Sequence, residues 1–396
     1  MKILTFLFAL VTSVALVGSS MAQVSGDITS SELSEILSNL GDFDYDVRSE
    51  ASRTVRRLDA DTIVVPLVTA ANSHEDSYVQ YRAAVLLYSF GVAEVGTFFR
   101  SALDSGNDRV RAAAYDYAEH EPESAIASRL LLAMDEETSE FVRPALIRAL
   151  AAHGGVADVR ARLTREIDQG ETYFRGAVIE ALGDHGATYA AGPISRIAAE
   201  RGPLQDDAII ALGKIGGEQA LSVFAEAQTK SDDAMLPIIS AGACLAGADC
   251  PNQVRYVIDA LERAAEGASD SPELLRAAAT AASVLAFSGR DGTMDVTVPL
   301  DALFDIGIAA TGEVRGPIAL ALGSVALRNP QRVQAVLGTR DDLEGSLLLL
   351  RDAFDMLDED MSEERFYMLL RSGYWSEETT EREKHMFQVA MQVLEF

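Results

Sequence analysis

Apolar residues return along this chain at helical spacing, and the stripe they form then recurs about every 32 residues. In Phe174, Ala177, Val178, Ala181 and Leu182 they fall at offsets 0, 3, 4, 7 and 8, one face of an α-helix. The same stripe recurs from Val110, Val142, Leu204 and Val314. Its anchors are Val47, Val79, Val110, Val142, Phe174, Leu204, Leu236, Leu275 and Val314, at spacings of 32, 31, 32, 32, 30, 32, 39 and 39 residues. A weaker tenth copy starts at Leu350, with Ala353, Phe354 and Leu357. Second apolar helices are predicted between the stripes at 62–71, 95–103, 125–134 and 218–228. Each unit is thus a helical hairpin. A single hairpin cannot bury its apolar face alone, so neighbours must stack and share one core. The expected fold is all-α: an α-solenoid of about ten hairpins over residues 46–357, with capping helices at each end.

The ends depart from the pattern. Thr29 and Glu32 form a capping box ahead of Leu33, Ile36, Leu37 and Leu40, which predicts a short helix capping the stack within residues 23–45. The two spacings of 39 put extra residues in 288–299, where Gly289, Gly292 and alternating Met294, Val296 and Val298 predict a protruding loop with a short extended segment. Residues 358–396 read as a C-terminal helical cap. Tyr374 and Trp375, the only Trp, lie between its two stripes and are candidate partner contacts.

The residues around the anchors resemble HEAT repeats, including the bilin-lyase-like subgroup. Asp46-Val47-Arg48, Asp108-Arg109-Val110-Arg111, Glu140-Phe141-Val142-Arg143 and Glu313-Val314-Arg315 are similar to that family's acid-then-Val-Arg entry. Ala181-Leu182-Gly183, Ala211-Leu212-Gly213-Lys214-Ile215-Gly216 and Ala321-Leu322-Gly323 are similar to its exit. The resemblance implies the fold and says almost nothing of an activity. The recurring Arg at 48, 111, 143, 175, 276 and 315 is expected to be structural, with the upstream acid standing at the N-cap and pairing with an Arg of its own or a neighbouring repeat.

The first 22 residues change the picture of where the protein works. Lys2, an uncharged apolar run from Ile3 to Gly18, and Ser20-Met21-Ala22 read as a signal peptide cleaved between Ala22 and Gln23. Export to the periplasm is expected, with secretion the second choice, and with no membrane insertion after cleavage. The formal charge is −28 and becomes −29 when Lys2 is removed, one positive charge fewer. So acidic a chain repels nucleic acid and anionic lipid; the charge serves solubility, or attracts a basic protein or divalent cations.

Chemistry is sparse. Cys244 and Cys250, the only cysteines, are expected to form a disulfide in an oxidising compartment, and their five intervening residues do not make a redox pair. His120, His153 and His185 occupy nearly the same repeat position, 10, 11 and 11 residues after their anchors, a column that invites a metal or pH-sensing reading. The equivalent positions elsewhere are Leu58, Phe90, Ile215 and Val325, so the column is expected to pack a helix end. His74-Glu75 and His120-Glu121 resemble the dyads of deoxyhypusine hydroxylase but are out of register with each other. No nucleophile–base motif, phosphate-binding loop or zinc spacing is present, and no cofactor is expected. The sequence therefore points to a non-enzymatic scaffold that binds a protein partner through an extended solenoid surface. The alternative is an accessory or regulatory subunit of a periplasmic enzyme or envelope complex, docked through Tyr374, Trp375 and their neighbours.

Overall fold

The computed structural model describes residues 28–267, 271–288, 295, 297–357 and 359–396. The signal-peptide boundary at Ala22 and Gln23 lies outside them. The first described element is α1 (Ser30–Asn39), opened by the Thr29–Glu32 capping box in both directions. Hairpins follow in which the first helix carries a sequence anchor, or begins directly after it, and the second is the intervening apolar helix. They are α2 (Tyr45–Arg57) with α3 (Ala60–Ser73), α4 (Ser77–Leu87) with α5 (Ala93–Ala102), and α6 (Asp108–His120) with α7 (Ala127–Glu136). Next come α8 (Arg143–Ala152) with α9 (Ala157–Glu166), α10 (Thr172–Asp184) with α11 (Ala191–Ala199), and α12 (Gln205–Ile215) with α13 (Glu218–Lys230). The series ends with α14 (Leu236–Leu245) and α15 (Cys250–Glu266), α16 (Pro272–Ser288) and α17 (Thr297–Ala309), α18 (Arg315–Arg328) and α19 (Pro330–Leu337), and α20 (Leu343–Leu357). Two C-terminal helices remain, α21 (Asp360–Trp375) and α22 (Glu381–Val393).

Even-numbered helices stack on one another in sequence from α4 to α20 and line the inside of the superhelix; the odd-numbered helices form the outer layer. One continuous core runs between them. Val110, Val142, Val178, Ala208 and Leu350 are buried in it, as the 3.6-residue stripe requires. Small residues set the distance between inner helices. A Cβ built on Gly213 would lie 2.7 Å from the Cα of Gly242, and one on Gly183 would lie 2.6 Å from the Cα of Ala211. The glycine that closes each Ala-Leu-Gly exit therefore admits the next inner helix at close range. Pro144 and Pro237 stand in the first turns of α8 and α14, where the missing N–H costs little.

Three expectations are corrected. The N-caps are Asp44, Asp76 and Asn107, not the acids next to the anchors, because their side chains accept from the N–H groups of Asp46, Tyr78 and Arg109. Arg276 pairs with the upstream Glu273 as expected, but four of the recurring arginines instead hold backbone carbonyls at or after the end of the preceding helix. Arg48 donates to the carbonyls of Asp42 and Phe43, Arg111 to Ser105, Arg175 to Ile167 and Arg315 to Gly307. Most of the anticipated loop at 288–299 lies outside the described residues, but Val298 sits in the first turn of α17, so the alternation there does not continue as an extended segment.

The superhelix closes on itself. Helix α21 packs its apolar side, Phe366 and Leu370, with α18, α19 and α22, and its opposite side reaches α4 near the other end of the chain. No helix among the described residues is long and apolar enough to cross a membrane.

Candidate functional site

Closure leaves a cavity of about 310 Å³ at the centre, walled by α6, α8 and α10 on one side and by α18, α21 and Phe287 of α16 on the other. Its lining is charged. Asp116, Glu119 and His120 come from the last turns of α6; their spacing of three and four residues puts them on one face of that helix. Asp116 receives Arg365 from α21, a contact spanning 249 residues of sequence. Glu119 accepts from Arg148 of α8 at 3.2 Å and lies 3.3 Å from Nε2 of His185, two repeats further on. Arg328 of α18 reaches Asp184 at 3.1 Å and also pairs with Glu180, while Lys214 pairs with Asp184 and lies 4.5 Å from the centre of the Phe287 ring.

These pairs outweigh the effect of burial. Burial alone would raise the Asp116 carboxyl, but Arg365, with His120 and Arg148, holds it below the ordinary range. Burial likewise acts to raise Glu119, and the His185 hydrogen bond and Arg148 bring it down. Glu359, on the opposite wall, goes the other way: burial raises it and Asp116 adds to the shift against three arginines. Lys214 is lowered by burial despite Asp184.

Asp116, Glu119 and His120 each bring one donor atom within 4.8 Å of the others, the residue types that suit a divalent transition ion. Asp116 and Glu119 already hold guanidinium partners, so an arriving cation would meet Arg365 and Arg148 at the same carboxylates. The trio can therefore act chemically as a relay of paired charge joining three repeats to α21.

The histidine column divides. His153 is buried, with its nitrogens 2.7 and 3.1 Å from the carbonyls of Ala149 and Glu123, and packs a helix end as expected. His120 and His185 instead face the cavity, because the inward curve of the stack brings alternate repeats together there. His74 holds the turn into α4, its Nδ1 accepting from the N–H of Asp76. Cys244 and Cys250 are joined by a disulfide with Cα atoms 4.3 Å apart, at the turn between α14 and α15. Tyr374 and Trp375 end α21 as an edge-to-face pair at 5.1 Å, Trp375 being 62% exposed.

The sequence did not single out Asp116, Arg148, Glu180, Arg328 or Arg365. The signal for three of them was present. Asp116, Arg148 and Glu180 each stand six residues after an anchor, in three consecutive repeats. Arg328 and Arg365 carry no such mark, because they meet these positions only through the closure.

An exposed row runs along the rim where inner helices begin. Tyr45, Phe141 and Tyr173 are 57%, 69% and 75% exposed, and each precedes its anchor by one or two residues. Tyr78 takes the same place on α4, where Arg109 lies 5.9 Å from its ring centre.

The chain is an all-α helical-repeat solenoid. Residues 31–119, which span α1 to α6, match the HEAT repeats family. No curated protein matches the chain. Among solved structures it is similar to Kap95p, described as inducing the switch loops of RanGDP to adopt the GTP-bound conformation, at 13% identity and a TM-score of 0.37, covering 93% of this chain and 67% of that one. It is also similar to Kap121p bound to Nup53p, at 11% identity and a TM-score of 0.36, over 93% of this chain and 46% of the other. This chain thus spans less than half the length of the second.

Proposed function

We propose that this chain is a non-enzymatic HEAT-type scaffold of the periplasm that binds a protein partner across the rim of its solenoid. The observation that carries the reading is the set of Tyr45, Phe141 and Tyr173, large aromatic side chains left in water one or two residues before an anchor. Phe141 and Tyr173, in register on consecutive repeats, supply anchors for an extended partner, and large aromatic side chains dominate such contacts. The central charges support the same view, since they are satisfied by one another and hold the repeats together. Lys2, the apolar run and Ser20-Met21-Ala22 support export, and the Cys244–Cys250 disulfide suits an oxidising compartment.

Affinity capture from periplasmic extract with the tagged wild-type chain and with Phe141→Ala/Tyr173→Ala tests the reading. A partner held by the wild type and lost by the folded variant is expected; equal recovery would overturn the rim as the contact. N-terminal sequencing of the exported protein should begin at Gln23. The second reading, an accessory or regulatory subunit docked through the C-terminal segment, is favoured by the exposed Trp375. There, Trp375→Ala would release the partner and the rim variant would not.

A further inference from the structure

The two sides of α21 are held by different physics. Its apolar residues, Phe366 and Leu370, are buried with the C-terminal helices, Phe366 lying 5.4 Å from the ring of Phe354. Its other side meets the N-terminal repeats through charge. Glu364 is fully enclosed and accepts from Arg56 of α2 at 3.0 and 2.6 Å and from the hydroxyl of Ser89. One turn earlier Asp360 accepts from the hydroxyl of Tyr81 at 2.7 Å and pairs with Arg82 of α4. The C-terminal hairpin therefore belongs to the C-terminal end by its core and to the N-terminal end by a seam of ions. Beside the seam, a second cavity of about 340 Å³ is lined by Arg48, Arg56, Arg82 and Arg351. The same cavity is lined by Asp355, Asp360, Glu363 and Glu395, so the arginines of the inner face of α2 and α4 stand out only because α21 and its neighbours supply the matching carboxylates, Glu364 for Arg56 and Asp360 for Arg82.

From this we propose that the inner face of α2 and α4 is a binding surface for an acidic helical segment of a partner, one carrying two carboxylates a single turn apart. Asp360 and Glu364 of α21 are its resident occupants and give the recognition pattern: one carboxylate for Arg56 with Ser89, the other for Arg82 with Tyr81. The proposal rests on the protein-binding reading and names its site and the chemistry of its partner. It also reverses the sign expected from net charge alone, which favours a basic partner. The apolar side of α21 stays on α18, α19 and α22, so parting the seam uncovers the rings of Tyr367 and Phe396 beside Arg56 but leaves the stacked core of the repeats covered. The partner's segment then takes the carboxylate positions that α21 leaves.

The test uses the full chain and a fluorescent peptide of its own residues 359–376 as probe, followed by anisotropy at low ionic strength. Glu364→Gln weakens the resident occupant while leaving the arginines in place. The folded variant is expected to bind the peptide roughly tenfold more tightly than the wild type, and adding Arg56→Gln should cancel the gain. Should Glu364→Gln fail to fold, Asp360→Asn, at the more open end of the seam, is expected to give the same gain, cancelled by Arg82→Gln. Peptide binding by a folded variant that is no tighter than the wild type's, or a gain that survives loss of the arginine, would overturn the proposal. If the wild type still captures a protein partner alongside that result, the scaffold reading stands and only this surface is lost.

Discussion

Asp207 stands in the first turn of α12, half-buried, with Asp206 and Glu180 near it. Burial, then these two acids, push its carboxyl up to about 6 from 3.8. Between those values the folded chain keeps a proton that the unfolded chain has released. Stability therefore falls as pH rises through this window and stays lowered above about 6. A shift of this size corresponds to at most ~3 kcal/mol, reduced to ~1–2 kcal/mol by partial solvent contact. Asp207→Asn removes the penalty. Its Tm should exceed the wild type's by about 2–4 °C at pH 7.5 and match it at pH 4; equal Tm values at both pH values would refute the assignment. At the same scale, His153 and His185 illustrate what a sequence can and cannot carry. They share a repeat position, yet one is sealed between carbonyls and the other touches Glu119 two repeats away. Position in the repeat fixes which face a side chain leaves from, while the curvature of the stack decides what it meets.

The helices themselves were legible because each one obeys a local rule. The apolar stripe and the Thr29–Glu32 box act within one or two turns, and the structure keeps both. The caps were misplaced for an equally local reason. Asp44 and Asp76 reach N–H groups two residues ahead, whereas Asp46 and Asp108 lie inside their helices, where an acid favours the positive end of the helix dipole without capping it. The glycine of the Ala-Leu-Gly exit makes a sharper claim about packing between elements. Gly213→Ala gains up to about 1 kcal/mol in helix propensity but drives a methyl into α14, 2.7 Å from Gly242. Overpacking of this kind costs about 1–3 kcal/mol, so the net change should be destabilising. Gly316→Ala, on α18 with nothing within 4 Å of the added carbon, should instead be neutral or stabilising. Chemical denaturation of the pair checks the contrast, and the same sign for both would mean that propensity and not contact governs this position.

At the scale of the molecule, nothing in a repeat of about 32 residues states that residue 364 will return to residue 56. The repeat describes each unit's neighbours, and closure depends on rotations summed over every unit. That is why the solenoid was readable and its central cavity was not. The closure also sets what holds the two ends together. A buried pair such as Arg56 and Glu364 gives little net stability, because the cost of removing both charges from water offsets their attraction, yet removing one partner strands the other at a cost of about 3–5 kcal/mol. Glu364→Met alone should therefore part the seam, seen in solution scattering as a larger radius of gyration and in faster amide exchange in α2 and α4. Arg56→Met alone should do the same, leaving Glu364 with Ser89 as its remaining donor. Arg56→Met/Glu364→Met places two flexible apolar chains beside Tyr367 and Phe396, whose rings already face Arg56 at 5.1 and 5.5 Å. The double variant is expected to recover the compact dimension and most of the exchange protection lost by either single change. If its losses instead add, the pair contributes net attraction of its own, and the ring is held shut by charge rather than merely aligned by it.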